Sequence, residues 1–193
     1  MSMESNFKNM TVVLGTICLV CSLLLGSVYA VTKAPIDQAG VAKVNAAISQ
    51  VVPAFDNVPS DEVIEIDGSE VYVAKQAGKS VGYAVKVAAA GFGGQIQMMV
   101  GFLPDGTIYN TSVISHSETP GLGAKIAGSE GQDAPPRAQI VGKNPATTKI
   151  AVKKDGGDID AITASTITSR AFLKGVETAY EVFLKIRSDE QEQ

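Results

Sequence analysis

Between Thr163 and Ser169 the chain sets five hydroxyl side chains within seven residues: Thr163, Ser165, Thr166, Thr168 and Ser169. Asp160 leads into them, and Ala161 and Ala164 keep the stretch small. A helical stripe of Phe172, Val176, Ala179, Tyr180 and Phe183 follows, so the hydroxyls stand at a helix start. The first N–H groups of a helix have no internal partners and carry partial positive charge. Such a place can hold a phosphate. Ser and Thr are also ordinary N-caps. Capping does not need Thr163, Ser165, Thr166 and Thr168 together, and it makes no use of Asp160.

Two more segments have the residue types of a site. In Gly91-Phe92-Gly93-Gly94, three glycines about one aromatic permit a bend or bulge between strands. The run Ser115 to Lys125 leaves a strand and turns at Pro120-Gly121. There Glu118 and Thr119 can hydrogen-bond the edge of a heterocycle, and Lys125 can neutralise an anion. Gly121 and Gly123 allow a flat ring to lie against the backbone. A surface hairpin would use the same residues, and composition leaves both readings open.

The elements that must position these segments follow from patterning. Alternating apolar residues predict strands over 63–67 and 80–90; the turn signals Asp67-Gly68 and Pro104-Asp105-Gly106 lead into strands over 71–73 and 107–115, and 95–102 is a further strand candidate. Val81, Tyr83, Val85 and Val87 are expected on one face. Together they read as an antiparallel meander. A short late strand is expected over Thr148–Val152, after a loop at Val141–Pro145. Apolar residues at Ile36, Val41, Val44, Ile48 and Val51 predict a separate amphipathic helix, with Asp37 in its first turn and Pro53 ending it. Ser188–Gln193 is polar and expected to fray. The fold class is α+β, an antiparallel sheet with flanking helices.

Thr11 to Val31 is twenty-one residues without a charge, flanked by Lys8 and Lys33. That suffices for one membrane-spanning helix. Val28-Tyr29-Ala30 also fits a signal-peptide cleavage sequence, but the apolar run reaches that point and is long for a signal core, which favours a retained anchor. The lysines on both sides leave its orientation undecided. The organisation is therefore residues 1–33 as anchor and 34–193 as the folded domain.

Composition removes several function classes. A net charge of −4 gives no support for nucleic acid as a partner, and 6% aromatics with no Trp argue against a base-stacking surface. His116 is the sole histidine, and Cys18 and Cys21 both lie in the apolar segment. A Cys/His zinc centre and a disulfide framework are thereby excluded from the rest of the chain. The Cys18-Leu19-Val20-Cys21 spacing is that of a redox pair, but lipid surroundings would not lower a thiol pKa.

Asp160-x-x-Thr163-Ala164-Ser165-Thr166 resembles the D-x-x-[ST]-G-A-T motif read by flavin transferases. His116-Ser117-Glu118-Thr119-Pro120-Gly121-Leu122-Gly123 resembles the second hallmark of the same proteins, and Gly91 to Gly94 looks like their glycine-rich segment. These are the FMN-binding subunits of ion-translocating redox complexes: the G subunit of the Rnf complex and the C subunit of the sodium-translocating NADH:quinone reductase. The resemblance spans the anchor and nearly all the rest, and the short length favours the Rnf subunit. It implies an electron-transfer subunit with FMN linked through its phosphate to Thr166. It further implies that Thr163, Ala164, Ser165 and Thr168 surround the phosphate, with Thr163, Ser165 and Thr168 donating to it. Glu118 and Thr119 would face the isoalloxazine, Leu122 would pack on it, and Gly121, Gly123 and Lys125 would complete the site. Sister subunits, a flavin transferase for maturation, and a single pass through the inner membrane with the domain in the periplasm belong to the same implication. Ala164-Ser165 stands where Gly-Ala is usual, an exchange of small for small that attachment is expected to survive. The competing readings are a free-standing flavin reductase and a non-redox binding module of the cell envelope.

Overall fold

The computed structural model describes residues 7–128 and 135–191. The chain divides into two compact units, Met1–Lys43 and Val44–Gln193. Helix α1 (Phe7–Val51) begins in the first and ends in the second.

In the first unit α1 is long and apolar enough to cross a membrane. Its apolar side chains, Leu14, Leu19, Leu24 and Val31 among them, are exposed. Its hydroxyls fold back on the helix. Thr16 donates to the Val12 carbonyl at 2.8 Å, Ser27 to Leu23 at 2.7 Å and Thr32 to Val28 at 2.8 Å. No donor among these is left unmet in an apolar surrounding. The separate helix expected from Ile36 is continuous with the apolar segment, with Pro35 inside it. A proline removes one helical hydrogen bond, and no other turn-forming residue between Thr32 and Ile36 helps it to break the helix.

The second unit is built on a five-stranded antiparallel meander in the order β1 (Val63–Ile66), β2 (Ser69–Gln76), β3 (Lys79–Ala90), β4 (Gln95–Phe102), β5 (Ile108–Ser115). Helix α2 (Pro135–Ile140) and helix α3 (Thr166–Gln191) follow. One sheet face, with Val73, Tyr83, Val85, Met98, Val100 and Phe102, packs against Phe172, Val176, Ala179 and Phe183 of α3. The other face carries Tyr72, Ala74, Ala84 and Met99 and is covered by Ala47, Ile48 and Val51 at the end of α1. Gln50 ties that end down: Asn110 Nδ2 donates to its carbonyl at 3.0 Å and Ser112 Oγ to its Oε1 at 3.1 Å. The sheet therefore lies between two helical layers, an α+β arrangement.

Three local differences from the sequence pattern have physical causes. Val81 leaves the face of Tyr83, Val85 and Val87 and packs with the α1 side, because Ala74 pairs with Gly82 and Lys75 with Ser80. The unpaired residue between them is a bulge, which reverses the side-chain alternation. The late strand over Thr148–Val152 is reduced to one bridge, Val152 to Ile159. Asn144 takes up the preceding amides, accepting from Ala146 N–H on Oδ1 and from Thr148 N–H on its carbonyl, both at 2.9 Å. Finally, α3 stays helical through Gln191 rather than fraying from Ser188, whose hydroxyl donates to Leu184 at 3.0 Å. Glu192 and Gln193 lie outside the described residues.

Candidate functional site

The three motif-bearing segments converge. Gly91–Gly94 links β3 to β4, the 116–122 loop leaves β5, and the hydroxyl cluster opens α3. Their joint is the Glu118 carboxylate, which is only 5% exposed. Oε1 accepts from the Gly93 N–H at 3.0 Å, and Oε2 accepts from the Thr168 hydroxyl at 2.5 Å. The Glu118 N–H itself donates to His116 Nδ1 at 3.2 Å, which sets the loop's exit from β5. A Cβ at Gly91 would overlap Oε1 and one at Gly123 would overlap Oε2, so the carboxylate is seated between two backbones that lack side chains.

Beside this joint lies a cleft of about 410 Å³ lined by Phe92, Glu118, Thr119, Leu122, Gly123 and residues 164–168. That volume is within the range of small-molecule sites. Of the residues expected from the sequence, Glu118, Thr119, Leu122, Gly123, Ala164, Ser165, Thr166 and Thr168 line it. Gly121, Lys125 and Thr163 are not part of the lining. Two lining residues have no role in the sequence reading of the site: Phe92, within the glycine-rich segment, and Ile167, between two threonines. Both are strongly exposed, at 70% and 53%, and Leu122 is exposed at 43%. An apolar side chain left in water at a hydroxyl-rich helix start is the signal that marks Ile167.

The five hydroxyls divide by what they already do. Ser169 accepts from the Ile162 N–H at 2.9 Å and donates to the Ser165 carbonyl at 3.1 Å, closing the lead-in to the helix. Thr168 is committed to Glu118. Ser165 is buried, while Thr163 is exposed and is not part of the lining. Thr166, the first residue of α3, is half-buried, lines the cleft and forms no side-chain hydrogen bond among the described residues.

The lead-in is held from outside the cleft. Asp160 forms an ion pair with Lys153 at 2.7 Å and accepts from Gln139 Nε2 at 3.0 Å, while its N–H donates to Gln139 Oε1 at 2.7 Å. The hydrogen bonds from Lys153 and Gln139 hold its carboxyl below the usual carboxylate range. Asp155 meets Arg170 of α3 in a two-bond pair, both at 2.7 Å, and is lowered for the same kind of reason. The Ser165 N–H closes a turn onto the Ile162 carbonyl at 2.9 Å, with Ala164 at φ +60°. That left-handed conformation suits glycine better than alanine.

Residues 91–181, which include all three segments, match the FMN-binding domain family. The G subunit of the Na⁺-translocating ferredoxin:NAD⁺ oxidoreductase complex of Acetobacterium woodii is 34% identical over 181 residues, covering 84% of each chain. The chain belongs to the G-subunit family of ion-translocating oxidoreductase complexes. Another member, the G subunit of the proton-translocating ferredoxin:NAD⁺ oxidoreductase complex of Clostridium ljungdahlii, is 32% identical over 90% of this chain and 88% of its own. The G subunit of the ion-translocating oxidoreductase complex of Erwinia tasmaniensis is 36% identical over 80% and 79%. Among solved structures, the C subunit of the Na⁺-translocating NADH-quinone reductase of Parabacteroides distasonis aligns with this G-family chain at a TM-score of 0.47 and 22% identity, over 72% of this chain and 78% of that one.

Proposed function

We propose that this chain is the electron-carrying member of a membrane-bound, ion-translocating oxidoreductase complex, with FMN joined through its phosphate to Thr166. One observation carries the site. Of the three hydroxyl residues that line the cleft, Thr168 is committed to Glu118 and Ser165 is buried at 6% exposure, whereas Thr166 is half-buried and forms no side-chain hydrogen bond among the described residues.

The residues fit the group. A phosphodiester at Thr166 keeps a negative charge at the amino end of α3, where free N–H groups and the helix dipole stabilise it. Phe92, Leu122 and Ile167 offer an apolar border for a flat ring. In forming the linkage, the Thr166 hydroxyl gives up its proton, a bond forms from Oγ1 to phosphorus, and the phosphate's bond to its leaving group breaks. The flavin supplies one- and two-electron steps when bound, and the protein's share is to position it and shield it. A flavin transferase supplies the activated nucleotide. The names of the relatives support membership of a complex of several subunits.

The length and apolar character of α1 support a single membrane pass, and the resemblance to the FMN-binding subunits is what puts the FMN domain on the periplasmic side of the inner membrane in this reading. The organisation into an anchor over 1–33 and a flavin domain over 34–193 is part of the same reading.

The test is intact mass after co-expression with a flavin transferase. The wild type is expected to gain one FMN less one water, and Thr166→Ala to gain nothing. An unmodified wild type under those conditions rejects the linkage.

A further inference from the structure

Glu118 has both carboxylate oxygens occupied by the protein, one by the Gly93 N–H and one by the Thr168 hydroxyl. Each oxygen thus already accepts one hydrogen bond, and the residue is only 5% exposed, which limits its direct contact with a ligand. Its effect on the cleft passes through Thr168, which is 1% exposed yet lines the cleft. A hydroxyl has a single proton. With that proton given to Glu118, the Thr168 oxygen presents only lone pairs to a ligand.

A phosphate oxygen facing those lone pairs would be repelled, so Thr168 is unsuited to the phosphate role that the motif alone suggests. A donor is what it can receive. We propose that Glu118 is a positioning residue that fixes Thr168 as a hydrogen-bond acceptor, and that Thr168 receives a hydroxyl of the flavin's ribityl chain. This rests on the flavin reading above. Thr166 and Thr168 both line the cleft, and the ribityl chain is the part of FMN next to the phosphate.

The experiment uses the full chain made without a transferase, in detergent, titrated with two flavins by fluorescence. Riboflavin carries the ribityl hydroxyls, and lumiflavin has the same ring without them. Neither has a phosphate. Thr168→Val is expected to weaken riboflavin about fivefold, the worth of one ordinary hydrogen bond, with a much smaller effect on lumiflavin. Glu118→Gln keeps an acceptor for Gly93 but turns an amide donor toward Thr168, freeing the hydroxyl proton to face the cleft. It is expected to weaken riboflavin in the Thr168 background and to add nothing in the Thr168→Val background. Thr168→Ser is expected to retain binding.

Equal weakening of both flavins overturns the proposal, as does a Glu118→Gln effect of the same size in both backgrounds. So does an absence of saturable riboflavin binding to the wild type. The covalent reading has its own readout in the mass of transferase-matured protein, so the two can fail separately.

Discussion

The Thr168 hydroxyl and the Glu118 carboxylate meet at 2.5 Å although fifty positions of sequence separate them. This contact fastens the first turn of α3 to the loop leaving β5, and through Gly93 to the link between β3 and β4. The cleft exists because those three segments are held at one point. Perturbations are therefore expected to sort by whether they touch the joint, the apolar border or the outer supports.

Gly123→Ala touches the joint. The new Cβ would overlap Glu118 Oε2 and stand 2.7 Å from Thr168 Oγ1. A cost of about 1–3 kcal/mol is expected from overpacking, together with reduced flavin loading. Gly121→Ala meets no neighbour within 4 Å but sits at φ +75°, so it should lose about 1 kcal/mol of stability and load normally. Chemical denaturation and adduct mass on both variants check this. Equal loading defects would show that the joint has no special part.

Phe92, Leu122 and Ile167 border the cleft while facing water. Truncating any of them to Ala should change stability by less than about 0.5 kcal/mol, as for other exposed sites. The visible absorption and fluorescence of the loaded flavin should nonetheless shift. Unchanged flavin spectra in all three variants would remove the apolar border from the site.

Ala164 occupies a left-handed turn position at φ +60°. Relief of that strain is expected to outweigh the extra freedom glycine brings to the unfolded chain. Ala164→Gly should therefore stabilise the domain by about 0.5–1 kcal/mol, read as a higher midpoint in thermal unfolding. A lower midpoint would contradict the strain.

Asp155 and Asp160 are both held below the usual carboxylate range by cationic or amide partners. A lowered folded-state pKa contributes stability that is complete above the ordinary aspartate value of about 4 and disappears as pH falls through the lowered values. The double variant Asp155→Asn/Asp160→Asn should accordingly lose less stability between pH 7 and pH 3 than the wild type does. Identical acid slopes would show that these pairs contribute nothing. Salt should weaken the wild-type effect, since both pairs are solvent-exposed.

Much of the fold was legible because its signals are local. Alternation marked the first and third strands, the turns at Asp67-Gly68 and Pro104-Asp105-Gly106 led into the second and fifth, and the stripe from Phe172 to Phe183 marked α3. What escaped was decided by contacts distant in sequence or by backbone detail. A one-residue bulge moved Val81 across the sheet, and the amides around Asn144 were used locally instead of in a strand. The six-residue α2 begins with two prolines and is too short for a periodic pattern; Arg137 ties it to the Ala127 and Thr111 carbonyls at 2.8 and 2.7 Å.

The cleft followed the same rule. Motif residues marked its walls, but their division of labour depends on which hydroxyl each partner takes. The resemblance implies that Glu118 faces a ring; in the structure it lines the cleft and each of its oxygens also accepts one hydrogen bond, from Gly93 and from Thr168. Nothing in the spacing of residues 116–123 announces that arrangement.

The linkage at Thr166 is tested most directly by proteolysis of transferase-matured protein and mass mapping of the yellow peptide. The flavin phosphate is expected on the peptide containing Ser165 and Thr166, with fragmentation assigning it to Thr166. A flavin located on Ser165, on Thr163 or on any other residue, or a protein that matures without a flavin peptide, would contradict it.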